Sequence, residues 1–166
     1  MSSFTVSFVC TGNICRSPMG EVILRELLDR EGLGDRVRVV SAGTGDWHVG
    51  GPADPRAVST LRDYGLDGDA HRAEQFVAEH FARTDLVLAL DRSHERALRA
   101  MAATPEDTEK IRLVRSFDPA AREAGELEVD DPYFGDEAGF VATYEELLPA
   151  CQGVVGYLKE RLAVVR

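Results

Sequence analysis

The chain has three cysteines, and two of them, Cys10 and Cys15, fall in Cys10-Thr11-Gly12-Asn13-Ile14-Cys15-Arg16-Ser17-Pro18. A thiol followed by a glycine and then a guanidinium admits several chemistries: a nucleophile at an anion site, a redox pair, part of a metal site, or small residues packed at a strand end. A structural metal site needs about four ligands, and no second Cys or His cluster stands at suitable spacing. The nucleotide-type loop G-x-x-x-x-G-K-[ST] is excluded, because the sequence contains no Lys-Ser or Lys-Thr. A nucleophile at an oxyanion site makes a different demand, namely convergent backbone N–H groups and positive charge. Arg16 suits that demand, since a guanidinium grips two phosphate oxygens at once. The same positive surroundings favour the ionised, nucleophilic form of a thiol, here Cys10.

Departure of an alkoxide or phenoxide calls for a carboxylic acid, and three Asp-Pro pairs are available, at Asp54, Asp118 and Asp131. Spacing alone does not choose among them. Asp131 is followed by Tyr133 and Phe134, whose rings could wall a slot for an aryl group. Of the remaining candidates, Cys151 falls on an apolar helical stripe and reads as core. His48, His80 and His94 have no motif around them and read as surface residues.

These groups need elements to position them. Thr5-Val6-Ser7-Phe8-Val9 is a short β-rich run ending at Cys10. After the loop, Met19, Val22, Ile23, Leu27 and Leu28 recur at helical spacing until Gly32 and Gly34. Ser17 is expected to cap this helix and Pro18 to take its first position. Further strands are expected at Val37–Ala42, Leu86–Leu90 and Ile111–Val114, separated by helix-like sequence, with Ser93 capping a helix that runs to about Ala102. One helical face extends from Phe140 to the chain's end, with a kink expected at Pro149. Alternation of this kind predicts a three-layer α/β domain over residues 1–166, with a four-stranded parallel sheet and helices on both faces. Ligands in such sheets gather at the carboxyl ends of the strands, where Cys10 lies.

Composition narrows the class further. The 166 residues carry a net charge of −10, which disfavours nucleic acid and anionic membranes as partners. Apolar runs are short and no leader is evident, so a cytoplasmic location is expected.

The stretch from Cys10 to Pro18 resembles the phosphate-binding loop of the low-molecular-weight protein tyrosine phosphatases, including its second cysteine. The resemblance extends through Ser41-Ala42-Gly43, through His71 with Ala73 and Gln75, through Asp91-Arg92-Ser93, and through Asp131-Pro132-Tyr133-Phe134-Gly135. It implies a flavodoxin-like fold of the phosphotyrosine phosphatase I type and metal-free, cofactor-free hydrolysis of phosphotyrosine through a phosphocysteine. Cys10 is then the nucleophile and Asp131 the general acid, with Asp118 left to helix or turn chemistry and Asp130 as a supporting charge. Arg16 binds phosphate together with Thr11, Gly12, Asn13, Ile14, Cys15 and Ser17. Ser41 and His71 support the loop, and Trp47 flanks the substrate cleft opposite Tyr133 and Phe134. Tyrosine-phosphorylated proteins would be the partners, phosphate the product, and a monomer the working form. Cys15 is expected to trap an oxidised, exposed Cys10 as a disulfide. A thiol-dependent arsenate reductase on the same fold is the alternative, although residues 72–130 contain no relay cysteine.

Overall fold

In the computed structural model, which describes residues 3–164, Phe4–Cys10 form β1, a run whose β-branched and aromatic residues suit a pleated, buried surface. The outermost two residues at each end of the expected 1–166 domain lie outside the described residues. β1 pairs in parallel with β2 (Val37–Gly43), setting Phe4 opposite Val37 and Cys10 opposite Gly43. On its other side β1 pairs with β3 (Leu86–Ala89), and β3 with β4 (Ile111–Leu113), all parallel, giving the order β2-β1-β3-β4. The expected four-stranded parallel sheet is therefore observed.

Strand residues alternate between two cores, as a parallel sheet covered on both faces requires. Val6, Phe8 and Cys10 of β1, with Leu86 and Leu88 of β3, face a large core closed by Met19, Ile23 and Leu28 of α1 (Arg16–Arg30) and by Phe140, Leu147, Cys151 and Leu158. Cys151 is thus core, as its stripe predicts. Val9, Val87, Ala89, Ile111 and Leu113 point the other way, onto Phe76, Phe81 and Leu98. Leu61 of α2 (Pro55–Asp63) joins the first core, and Leu98 belongs to α3 (Arg92–Met101). Two short helices, α4 (Pro105–Glu109) and α5 (Pro119–Ala124), flank β4, and α6 (Glu137–Val164) runs unbroken through Pro149. Strand order reverses at β1, so the crevice between the ends of β1 and β3 is where a ligand belongs. Among the described residues, no helix is long and apolar enough to cross a membrane.

Two helix starts differ from expectation. α1 begins at Arg16, with Cys15 at its N-cap and no side-chain cap, so Ser17 is the second helical residue and Pro18 the third. The hydroxyl of Ser17 is engaged elsewhere, as described below. α3 is capped by Asp91 rather than Ser93: the carboxylate accepts from the backbone N–H groups of Ser93 (2.9 Å) and His94 (3.2 Å). An ionised carboxylate is the stronger acceptor at the positive end of a helix, and the Ser93 hydroxyl itself donates to it at 2.5 Å.

Candidate active site

The loop between β1 and α1 is turned so that its carbonyls are taken up by neighbouring elements. The Cys10 carbonyl accepts from Thr44 N (2.8 Å), Thr11 from Gly45 N (3.0 Å) and Ile14 from Asp54 N (2.8 Å). His71 Nε2 lies 2.6 Å from the Asn13 carbonyl and must be the donor, because a carbonyl only accepts. By contrast, none of the backbone N–H groups of residues 11–15 donates to another group among the described residues. A row of unpaired N–H groups at the start of a helix is an anion cradle. Gly43 lets β2 approach this loop: a Cβ there would lie 2.6 Å from the Thr11 oxygen and 3.0 Å from the Asn13 nitrogen.

Asn13 is the pivot of the curl, with φ of 57°, a left-handed conformation that asparagine tolerates better than most residues. Its amide nitrogen donates to Ser17 Oγ (2.7 Å) and Ser41 Oγ (3.0 Å), while its Oδ1 accepts from Glu74 N (2.9 Å). Ser41 in turn donates to Glu21 (2.6 Å). Because Ser17 Oγ accepts from Asn13, its own proton is free for Cys10 Sγ, 2.9 Å away. The expected grouping of Asn13, Ser41 and His71 around the loop is thus present, and Glu21 and Glu74 complete it.

Arg16 is only 2% exposed. Its Nη1 donates to Asp91 (2.8 Å) and to the Val129 carbonyl (2.8 Å), which locks the guanidinium plane and leaves Nε and Nη2 for an anion. Asp131 stands 3.7 Å from Nη2, half-exposed, and accepts from Tyr133 N at 3.0 Å. Burial alone would raise the Asp91 carboxyl, but hydrogen bonds from Ser93 and Arg16 overcome it and hold the group down at about 2. Asp91 is therefore a fixed negative anchor for Arg16.

His94 is not a surface residue. It is 1% exposed, beneath the loop. Its Nδ1 accepts from Asp91 N (3.2 Å), so Nε2 carries the proton and donates to Thr11 Oγ1 (2.8 Å). Burial lowers its pKa from 6.5 to about 4 against the opposing pull of Asp91. The unfolded chain then binds a proton that the folded chain refuses between these values, so stability contributed by neutral His94 is full above pH 6.5 and lost as pH falls towards 4. At full extent this is about 3 kcal/mol. His94→Gln keeps a donor for Thr11 but cannot titrate, and urea unfolding followed across this pH window should show a visibly shallower slope than the parent; equal slopes would contradict the assignment.

Cys10, Thr11, Gly12, Ile14, Cys15 and Arg16 floor a cleft of about 180 Å³, with Trp47, His48, Asp131, Tyr133 and Phe134 around it. His48 thus lines the cleft, while half-buried His80 packs edge-on against Phe76. Trp47 is 71% exposed and Phe134 is 90% exposed, so both rings are rims rather than core. Cys10 itself is 3% exposed, deeper than the accessible thiolate expected from the sequence. Cys15 is buried beside it and free, and burial, with Asp54 adding to it, pushes its thiol well up. The other two Asp-Pro aspartates are helix caps: Asp54 accepts from Arg56 N (2.8 Å) and Asp118 from Ala120 N (3.0 Å).

The sequence reading placed His94 on the surface and gave no role to Glu21, Glu74 or Arg56. Only His94 carried a local signal, since Asp91 and His94 have the three-residue spacing of a capping box.

The family model for low molecular weight phosphotyrosine protein phosphatases matches residues 5–164. A low molecular weight protein-tyrosine-phosphatase of Streptomyces coelicolor is 48% identical over 160 residues, covering 96% of each chain. A protein tyrosine phosphatase of Entamoeba histolytica, solved with Hepes in its active site, superposes with a TM-score of 0.89 at 30% identity over 95% of this chain and 98% of that one. A structure described as a drosophila arginine phosphatase superposes at 0.84 with 36% identity, over 93% and 97% of the two chains. On this match, which spans almost every described residue, the chain belongs to the low molecular weight phosphotyrosine protein phosphatase family.

Proposed function

We propose that the chain hydrolyses phosphotyrosine in proteins and related aryl phosphates. Cys10 Sγ attacks phosphorus in line, and the bond from phosphorus to the tyrosyl oxygen breaks as protonated Asp131 delivers its proton to that oxygen. Arg16 and the N–H groups of residues 11–15 take the equatorial oxygens, whose charge is held without reorganisation. Water then attacks the phosphocysteine with Asp131 as base, phosphate leaves, and the departing sulfur receives the hydrogen bond of Ser17. The observation that carries this reading is the unpaired row of loop N–H groups in the cleft that Cys10, Arg16 and Asp131 share. The reading has the protein acting as a cytoplasmic monomer, without metal or cofactor.

Substrate class follows from the walls. Trp47, Tyr133 and Phe134 rise around a buried nucleophile, so a substrate must carry its phosphate on a stem long enough to reach Cys10. A tyrosyl stem does, and it stacks on the walls; a seryl stem does not. With EDTA present, kcat/KM on a phosphotyrosyl peptide should exceed that on the matched phosphoseryl peptide by more than about tenfold, roughly 1.4 kcal/mol. A phosphoarginyl peptide, included because of the arginine phosphatase relative, should also fall below phosphotyrosine. Equal rates on the phosphotyrosyl and phosphoseryl peptides, or loss of activity in EDTA, would overturn the reading.

The arsenate reductase alternative needs a cysteine that can relay a disulfide outward. Beyond Cys10 and Cys15 the chain offers only Cys151, fully buried in α6, which leaves that alternative without support.

A further inference from the structure

Arg56, in the first turn of α2, makes more polar contacts than a surface arginine needs. Its Nε and Nη2 hold Asp54 in a two-point pair (3.1 and 2.9 Å), Nη2 also donates to the Tyr133 carbonyl (2.9 Å), and Nη1 donates to the Gly135 carbonyl (3.0 Å). The guanidinium carbon lies 4.6 Å from the Phe140 ring centroid and 5.7 Å from that of Tyr133. On the other side, Asp54 is tied to the phosphate loop, because its backbone N–H donates to the Ile14 carbonyl. A continuous path therefore runs from Ile14 through Asp54 and Arg56 to Tyr133, whose own N–H holds Asp131 Oδ1.

The segment that Arg56 grips has few other restraints. Gly135 N bonds Pro132 O, and Gly139 N bonds Asp136, both local turns. Among the described residues, the two bonds from Arg56 are the only hydrogen bonds that join residues 131–136 to an element outside their own turn and the start of α6. Beyond its own turn, Asp131 makes among the described residues only the longer polar contact with Arg16.

We infer that Arg56 is a positioning residue for the general acid: it registers the 131–136 segment against the loop that carries Cys10, so that Asp131 meets the leaving oxygen. The inference rests on the reading of Asp131 as that acid. Arginine is needed because only a planar fork can pair with a carboxylate, reach two carbonyls and stack on a ring together; a lysine ammonium is a single point.

A loosened acid costs most where the leaving group needs its proton. Proton transfer matters little for a dinitrophenyl ester and much for phenyl phosphate, and misplacement by about 1 Å costs on the order of 10²-fold. The second step, hydrolysis of the phosphocysteine, is common to all substrates, so kcat/KM is the quantity to compare. Arg56→Ala should lower kcat/KM for phenyl phosphate by about 10- to 100-fold and for dinitrophenyl phosphate by less than about threefold. Arg56→Lys should recover little of the loss. Asp54→Asn combined with Arg56→Ala removes the unpaired carboxylate that the single variant leaves, and should keep the same leaving-group dependence. In an Asp131→Asn background, Arg56→Ala should add less than about threefold, since its effect passes through the missing acid.

A uniform loss across leaving groups, full rescue by lysine, or multiplicative losses in the Asp131→Asn background would overturn the inference while leaving Asp131 as the acid. So would a fall in Tm without leaving-group discrimination, the mark of a structural role alone. If Asp131→Asn itself showed no leaving-group dependence, the acid assignment and this inference would fall together.

Discussion

Cys10→Ser should bind phosphate or vanadate with the loop intact and turn over no substrate, with kcat/KM down by at least about 10⁴-fold, in keeping with the loss of a covalent nucleophile. The oxyanion cradle is built from backbone N–H groups of residues 11–15 and from Arg16, and the carbonyls that orient it are bonded to Thr44, Gly45, Asp54 and His71. None of these bonds uses the Cys10 side chain. A hydroxyl in place of the thiol keeps a partner for Ser17 but is a far weaker nucleophile at neutral pH. Anion binding should be kept, because the N–H groups and Arg16 that would hold the anion are untouched by the change. Isothermal titration with vanadate alongside steady-state kinetics checks both halves. Residual activity within about tenfold of the parent would show that another group attacks phosphorus.

Asp131→Asn should give the second largest effect, and a selective one. General acid catalysis typically supplies about 10²–10⁴-fold, so phenyl phosphate and phosphotyrosine should lose that much in kcat/KM while dinitrophenyl phosphate loses little. Asp118→Asn is the matching control: its carboxylate caps α5, a task that asparagine performs equally well, and the change should leave kcat/KM within about twofold. Equal losses across leaving groups in Asp131→Asn, or a comparable loss in Asp118→Asn, would move the acid elsewhere.

These three Asp-Pro pairs also show where reading the sequence stops. Aspartate followed by proline is the local chemistry of a helix start, and Asp54 and Asp118 are helix starts. Asp131 has the same local sequence but is followed by a turn, and what separates it is the cleft that it shares with Cys10, 121 positions earlier in the chain. Local pattern was sufficient for β1, for α1 and for Cys10 at their junction, because an apolar run, a glycine and a helical periodicity fix them within a few residues. It misplaced Ser17, whose position before proline reads as a cap, because Asn13 and Cys10 compete for that hydroxyl only once the loop has curled. Arg56 escaped for the same reason, as did the pairing of His94 with Thr11, although the spacing of His94 from Asp91 was legible: the partners lie 77 and 83 residues away, and no periodicity reports such a contact.

The claim that everything else depends on is a covalent phosphocysteine at Cys10. Rapid mixing of the protein with a ³²P-labelled phosphotyrosyl peptide, followed by acid quench within the first turnover, proteolysis and peptide mapping, tests it directly. The label should appear on the peptide containing Cys10, decay as phosphate is released, and be absent from Cys10→Ser. Label on a different residue, or single-turnover release of phosphate at the full rate with no labelled protein at any time point, would contradict the account.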